Sequence, residues 1–275
     1  TSSVDVDAVP TISADGTKLT YEAGRPDHVE IRARDLASGR ETTLTPAPGR
    51  FNWPRISRDG SRVLYGLQDG EHRPFYVVPI GGGLPEKVCD NCGYPWSWSP
   101  EGARLLFVRT SSTPNVSCLE VGVTQGQAVV QHAKDGLFQG QFAPDGQWIA
   151  WMETPLALRS RLVVAPLRGC SPIAESDRIP VTSGEAFDDY LAWSPDGRLL
   201  YFISDRDGFP CLWALRLDLA TRRPQGVPFA VTHFHSARNA FRHVRGGLSV
   251  GRDKLVLNLT ETTGNIWMAQ PEGVQ

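Results

Sequence analysis

The 275 residues carry 28 Lys and Arg against 30 Asp and Glu, a net charge of −2 with a pI near 6.3. That balance excludes the clustered basic surface by which proteins displace counterions from nucleic acid. Arg is scattered, only four residues are Lys (18, 87, 134 and 254), and no apolar run approaches the ~20 residues of a membrane span.

Along the chain, short runs rich in Val, Leu, Ile, Trp, Tyr and Phe are punctuated by Gly and Pro, and no long stretch has helical period. The chain begins at Thr1 rather than Met, without a visible signal peptide, which points to an N-terminus processed or cut from something longer. Residues 2–8 alternate as a strand around Val4-Asp-Val6. Then a four-residue turn starts to recur: Ser13-Ala-Asp15-Gly16, Ser57-Arg-Asp59-Gly60, Ser99-Pro-Glu101-Gly102, Ala143-Pro-Asp145-Gly146, Ser194-Pro-Asp196-Gly197 and a worn Gly251-Arg-Asp253-Lys254. Its acidic residues lie 44, 42, 44, 51 and 57 positions apart, a period typical of β-propeller blades.

Each turn sits between an inner strand and a second strand. Arg62–Tyr65, Arg104–Val108, Trp148–Trp151, Leu199–Ile203 and Lys254–Leu257 read as second strands. Phe75–Val78, Leu162–Ala165, Cys211–Leu217 and Asn265–Trp267 read as third strands. The apolar runs lack strict alternation because stacked blades cover both sides of a middle strand. The predicted fold is an all-β, six-bladed β-propeller of four-stranded antiparallel blades, forming a single domain over residues 1–275. The sixth repeat runs out near Gln270 without an outer strand, so the N-terminal segment is expected to supply it and close the ring. The last interval is longest because residues 233–247 insert before the final inner strand.

The Ser-Pro-Asp-Gly repeats make the chain resemble the TolB-like propellers over essentially its whole length. A narrower likeness rests on Cys89-Asp-Asn-Cys92-Gly93, Trp96-Ser-Trp98-Ser99, Asp207-Gly-Phe-Pro-Cys211-Leu-Trp213 and Pro228-Phe-Ala-Val-Thr-His-Phe-His-Ser-Ala-Arg238. These segments resemble the C-terminal sensor-like propellers of bacterial receptor-type Ser/Thr kinases. That resemblance implies the extracytoplasmic, periplasmic half of a membrane-anchored parent. No kinase signature is present in the chain, and the extra N-terminal domain of TolB is absent from it.

Binding residues of scaffold folds sit on loops around a shared mouth. Repeat position assigns the propeller mouth to Asn52, Trp53, Tyr94, Trp96, Gln139, Gln141, Asp188, Asp189, Tyr190, His235, Arg238 and Asn239. Aromatics, amides, a carboxylate pair and a cation together suit a polar peptide or a sugar-like ligand; the same residues also fit packing between blades and a solvated rim. Cys89 and Cys92 form a Cys-x-x-Cys on a loop, for which a local disulfide is the preferred reading. Two reduced thiols, or a metal or redox role, are the alternatives. His233, His235 and His243 cluster in the insertion without an evident third ligand, so no metal is assigned and no cofactor is expected. Gly247-Leu-Ser249-Val-Gly251 has the spacing of a hydrolase nucleophile, yet no helix follows it, so it reads as an inner strand.

The expected function is therefore a non-catalytic sensor or protein-interaction propeller, a monomer whose partner is a peptide, a protein or an envelope component. The alternative is a hydrolase or lyase using Asp188, Asp189 and His235 at the mouth, or the propeller of a prolyl-oligopeptidase-like enzyme lacking its hydrolase domain.

Overall fold

The computed structural model describes residues 6–25, 28–47, 49–109, 115–120, 127–131, 136–156, 159–234, 239–241 and 246–261. Among these, no α-helix occurs, and the strands form five four-stranded antiparallel sheets and two two-stranded ones. The first blade holds β1 (Val6–Ile12), β2 (Lys18–Arg25), β3 (His28–Asp35) and β4 (Glu41–Thr43). Next come β5 (Phe51–Ile56), β6 (Arg62–Leu67), β7 (Phe75–Pro79) and β8 (Glu86–Cys89). The third blade is β9 (Tyr94–Trp98), β10 (Arg104–Arg109), β11 (Asn115–Glu120) and β12 (Gln127–Gln131). The fourth is β13 (Gly136–Phe142), β14 (Trp148–Leu156), β15 (Arg159–Pro166) and β16 (Ile179–Pro180). The fifth is β17 (Asp188–Trp193), β18 (Leu199–Ser204), β19 (Cys211–Arg216) and β20 (Phe229–Thr232). In the sixth repeat β22 (Leu248–Val250) pairs with β23 (Leu255–Leu257), and β21 (Asn239–Ala240) with β24 (Thr260–Glu261). Five complete blades are thus described where six were expected.

The turns explain the repeat chemically. In each of the first five, the Gly N–H donates to the carbonyl of the first turn residue at 2.9 Å, with Gly at positive φ. Where that residue is Ser, its Oγ accepts the N–H of the residue opening the second strand, at 2.9–3.0 Å in four copies. The same hydroxyl donates to the turn Asp at 2.5–2.6 Å in Ser13, Ser57 and Ser194. The turn is locally self-sufficient, which is why it recurs legibly in the sequence.

Packing is between blades. Val63 and Tyr65 face the first blade, joining Ile31, Ala33 and Leu44, while Leu64 between them joins Phe75, Leu105 and Phe107 on the other side. Leu106 and Val108 pack with Ile149, Trp151 and Val163, and Ala150, Met152 and Leu162 with Leu200 and Phe202. Consecutive residues of a strand point to opposite faces, so a middle strand buried on both must be apolar throughout.

Closure of the ring corrects one expectation. Val6 to Ala8 belong to β1, the inner strand of the first blade, paired with Gly24 to Glu22 of β2, and not to an outer strand of the sixth. Residues 1–5 lie outside the described residues. The first and sixth repeats meet through their inner strands, where the Ile12 N–H donates to Ser249 Oγ at 3.1 Å. The equivalent bond joins blade one to two (Ile56 N–H to Thr11 Oγ1, 3.2 Å) and three to four (Phe142 N–H to Ser97 Oγ, 3.3 Å). The Gly-x-Ser-x-Gly motif is explained by this seam. A Cβ on Gly247 would lie 2.8 Å from Pro10 Cδ, and one on Gly251 would lie 3.0 Å from the Ser13 carbonyl oxygen. Both glycines admit the first blade's backbone, and Ser249 is a hydrogen-bond acceptor there rather than a nucleophile on an elbow.

Candidate functional site

Each inner strand bulges midway. Residues on β1, β5, β13 and β17 slip register at this level, and Val9, Trp53, Gln139 and Tyr190 take positive φ there (48°, 54°, 58° and 49°). Left-handed backbone at bulky residues costs energy, so the surrounding structure must hold it. For Trp53 the holder is visible. Its N–H donates to Glu22 Oε1 at 2.8 Å, from a buried carboxylate on the neighbouring blade. In the sixth repeat the bulge is expanded into the insertion, since Ala240 pairs with Thr260 and the next inner-strand pair is Leu248 with Leu257. The Gly246 N–H donates to Tyr190 Oη at 2.9 Å, anchoring the insertion to the fifth blade.

The inner strands enclose a central channel of about 690 Å³, to which all six repeats contribute. Its walls include Thr11, Arg55, Trp96, Gln141, Tyr190 and Ser249, and its rim includes Asp15, Arg58, Asp59, Pro100, Pro195 and Arg252. These rim residues belong to the recurrent turns. The described channel therefore opens on the turn face, opposite the loops that were expected to form the mouth.

The expected residues separate accordingly. Trp96, Gln139, Gln141 and Tyr190 line the channel. Asn52, Trp53, Tyr94, Asp188 and Asp189 are not among the lining residues. Trp53 packs against both the cluster of blades three and four and that of blades five and six, so it spans the axis at the end away from the turns. Its ring is 4.9 Å from that of Trp96 and 6.4 Å from that of Tyr94. Asn52 Oδ1 lies over Gly66, where a Cβ would come within 2.7 Å. The two aspartates diverge, as neighbours on a strand must. Asp188 meets Arg206 Nη2 at 2.8 Å, whereas Asp189 Oδ1 accepts from Gln139 Nε2 and from the Tyr190 N–H. His235 and Arg238 lie outside the described residues, and of Asn239 only the backbone is described, in β21.

Sequence reasoning missed Arg55, the cation within the channel wall. Its guanidinium carbon lies 5.7 Å from the Trp53 ring centroid and 5.2 Å from that of Trp96. Nε donates to the Trp96 carbonyl at 2.7 Å and Nη1 to that of Pro54 at 3.0 Å, so Nη2 is left for another acceptor. Burial pushes its pKa down to about 10, against the pull of Glu22, and it remains cationic at neutral pH. Trp96 Nε1, Trp193 Nε1 and Gln139 Oε1, all on lining residues, are buried without a protein partner. The only signal for Arg55 in the sequence is its place two residues before the turn, which Thr11 and Ser97 share.

Cys89 and Cys92 are joined as a disulfide with their Cα atoms 6.1 Å apart, and Cys170, in the loop after β15, is also disulfide-bonded. Cys211 is a free, buried thiol. No helix of the described residues is long and apolar enough to cross a membrane.

No family model matches the chain. An uncharacterized protein of Agrobacterium fabrum is 31% identical over 98 residues, covering 35% of this chain and 33% of that protein. A TolB homolog of Chlorobium luteolum is 29% identical over 133 residues, covering 46% and 29%. The chain thus spans about a third of the length of the curated relatives it matches. Among solved structures, the protein assigned as TolB in Agrobacterium tumefaciens superposes with a TM-score of 0.71 at 15% identity, over 95% of this chain and 92% of that one. A prolyl endopeptidase superposes with a TM-score of 0.59 at 18% identity, over 93% of this chain and 38% of that one. The fold is that of the TolB-like β-propellers.

Proposed function

We propose that this chain is a non-catalytic interaction propeller whose channel binds a carboxylate-bearing segment of a protein partner, entering from the turn face. The observation that carries the reading is Arg55. A guanidinium set beside two Trp rings, with Nη2 uncommitted, matches a carboxylate in a groove lined by aromatics and amides. Of the residues put forward for catalysis, Asp188 is engaged with Arg206 and Asp189 with Gln139, while His235 lies outside the described residues.

In the same reading the propeller has six blades, the last completed by residues outside those described, and serves as the extracytoplasmic sensing part of a larger receptor. The segmental likeness to receptor-kinase propellers supports the parent. The Cys89–Cys92 disulfide supports an oxidising, periplasmic compartment.

Peptides ending in a free carboxylate, their amidated counterparts and neutral oligosaccharides distinguish the possibilities by fluorescence anisotropy and thermal shift. The free-carboxylate peptides are expected to bind and to raise the Tm, since a ligand of the folded state stabilises it. Arg55→Gln should weaken them by at least about tenfold, the scale of a lost charge-assisted hydrogen bond. Equal binding by wild type and Arg55→Gln, or none by any peptide, would overturn the reading.

A further inference from the structure

Away from the channel, three chemically distinct donors converge at the end of the fifth blade. Asp207 lies in the loop joining β18 to β19, Cys211 opens β19, and His233 follows β20. Their convergence is topological. Because β19 and β20 pair with Leu212 opposite Thr232, the first residue of β19 and the residue after β20 become neighbours. The β18–β19 loop then turns at Gly208, φ +94°, which brings Asp207 back toward Cys211. The carboxylate, thiol and imidazole donor atoms all lie within 4.8 Å of one another.

We propose that Asp207, Cys211 and His233 form a binding site for a borderline divalent transition metal, zinc above all. The donor set carries the choice of ion. One oxygen, one sulfur and one imidazole nitrogen suit zinc, whereas calcium and magnesium take oxygen cages. Three protein ligands leave a fourth tetrahedral position for water or another group.

The surroundings are those of a ligand set. His233 Nδ1 and Asp207 Oδ2 are 2.9 Å apart, while Asp207 Oδ1 accepts the Phe209 N–H at 3.5 Å, which orients the carboxylate. Cys211 Sγ accepts the Phe234 N–H at 3.4 Å, an interaction that supports negative charge on sulfur. The thiol is buried, whereas the His233 side chain is 47% exposed, so an ion enters from the histidine side. Donors around tetrahedral zinc stand about 3.2 to 3.8 Å apart, from bonds of about 2.0 to 2.3 Å. The 2.9 Å His233–Asp207 pair therefore opens slightly on binding, and any wider separation closes by no more than about 1.6 Å, within side-chain reach. On ligation the thiol gives up its proton to solvent, and the histidine proton moves to the ring nitrogen that does not face the ion. Arg206, next to Asp207 in the chain, is neutralised by Asp188 at 2.8 Å and stacked on the Trp213 and Phe202 rings. Cys211 also remains a thiol in a chain where Cys89, Cys92 and Cys170 are disulfide-bonded, which leaves its sulfur available for a metal.

The test uses the full chain with its disulfides intact, stripped with chelator and titrated with zinc and with cobalt as a spectroscopic probe. One equivalent is expected to bind, raise the Tm, and with cobalt give thiolate-to-metal charge-transfer absorption and tetrahedral d–d bands. His233→Ala and Asp207→Asn should weaken binding at least about tenfold, and Cys211→Ser should abolish the charge-transfer band. Since Cys211 is buried and its variant can fail to fold, the two surface variants decide the matter. Arg55→Gln should bind the metal as wild type does, which separates this site from the channel. No charge-transfer band, or unchanged affinity in both surface variants, would overturn the proposal.

Discussion

At the scale of single residues, buried charge is the sharpest test of the structure. Glu153 on β14 is 1% exposed and holds Arg161 at 2.7 Å, the Trp151 indole N–H at 3.0 Å and Arg178 at 3.9 Å. Removing one partner of such a group leaves others uncompensated, at about 3 to 5 kcal/mol when all are buried. Arg161 is partly exposed and can turn to water, so Glu153→Ala should cost about 3 kcal/mol, read from urea unfolding. The turn aspartates give a pH dependence. Hydrogen bonds from Ser57 and Ser61 hold Asp59 down to about 2, below the ordinary 3.8, and Asp15 and Asp196 are lowered by the equivalent serines. A depressed folded pKa contributes stability above the unfolded value, and that contribution is lost as pH falls from about 4 through about 2. The urea midpoint should drop over that window, and Asp59→Asn should flatten part of the drop. These carboxylates are largely exposed, so the effect per turn is small.

At the scale of elements, the first two blade junctions share one link. The residue opening a second strand reaches the next turn's glycine carbonyl: Lys18 Nζ to Gly60 at 3.2 Å and Arg62 Nη2 to Gly102 at 2.7 Å. Arg62 also lies over the Trp98 ring, 4.7 Å from its centroid. Arg62→Ala should therefore cost about 1 to 3 kcal/mol, combining a charged hydrogen bond with a cation–π contact. Lys18→Ala, lacking the aromatic, should cost less, and equal losses in thermal unfolding would argue against this account. The fourth turn departs from the pattern and finds a substitute. Ala143 cannot donate to Asp145, and Arg222, arriving from the fifth blade, bonds both Asp145 and the Gly197 carbonyl.

At the scale of the molecule, the ring is held where its first and last repeats meet. The Ile12 amide depends on Ser249 Oγ, a bond spanning nearly the whole chain. Ser249→Ala should cost about 1 to 3 kcal/mol, the penalty of a buried donor left unmade. Amide exchange at Ile12 should accelerate more than at Ile56, whose acceptor Thr11 is untouched. Unchanged exchange at Ile12 would mean that the seam is held elsewhere.

The propeller itself was written in the sequence. The turn uses only neighbouring atoms, so Ser, Asp and Gly betray it wherever it occurs, and the apolar second strands betray two buried faces. The end of the channel that opens, the Trp53 side chain across its axis, Arg55 within its wall and the meeting of Asp207, Cys211 and His233 were decided only by tertiary structure. Those features join residues of different strands and blades, and their encounter depends on strand register and on the bulges. A local pattern does not encode such distances, because the same residues at another register would point to opposite faces of the sheet.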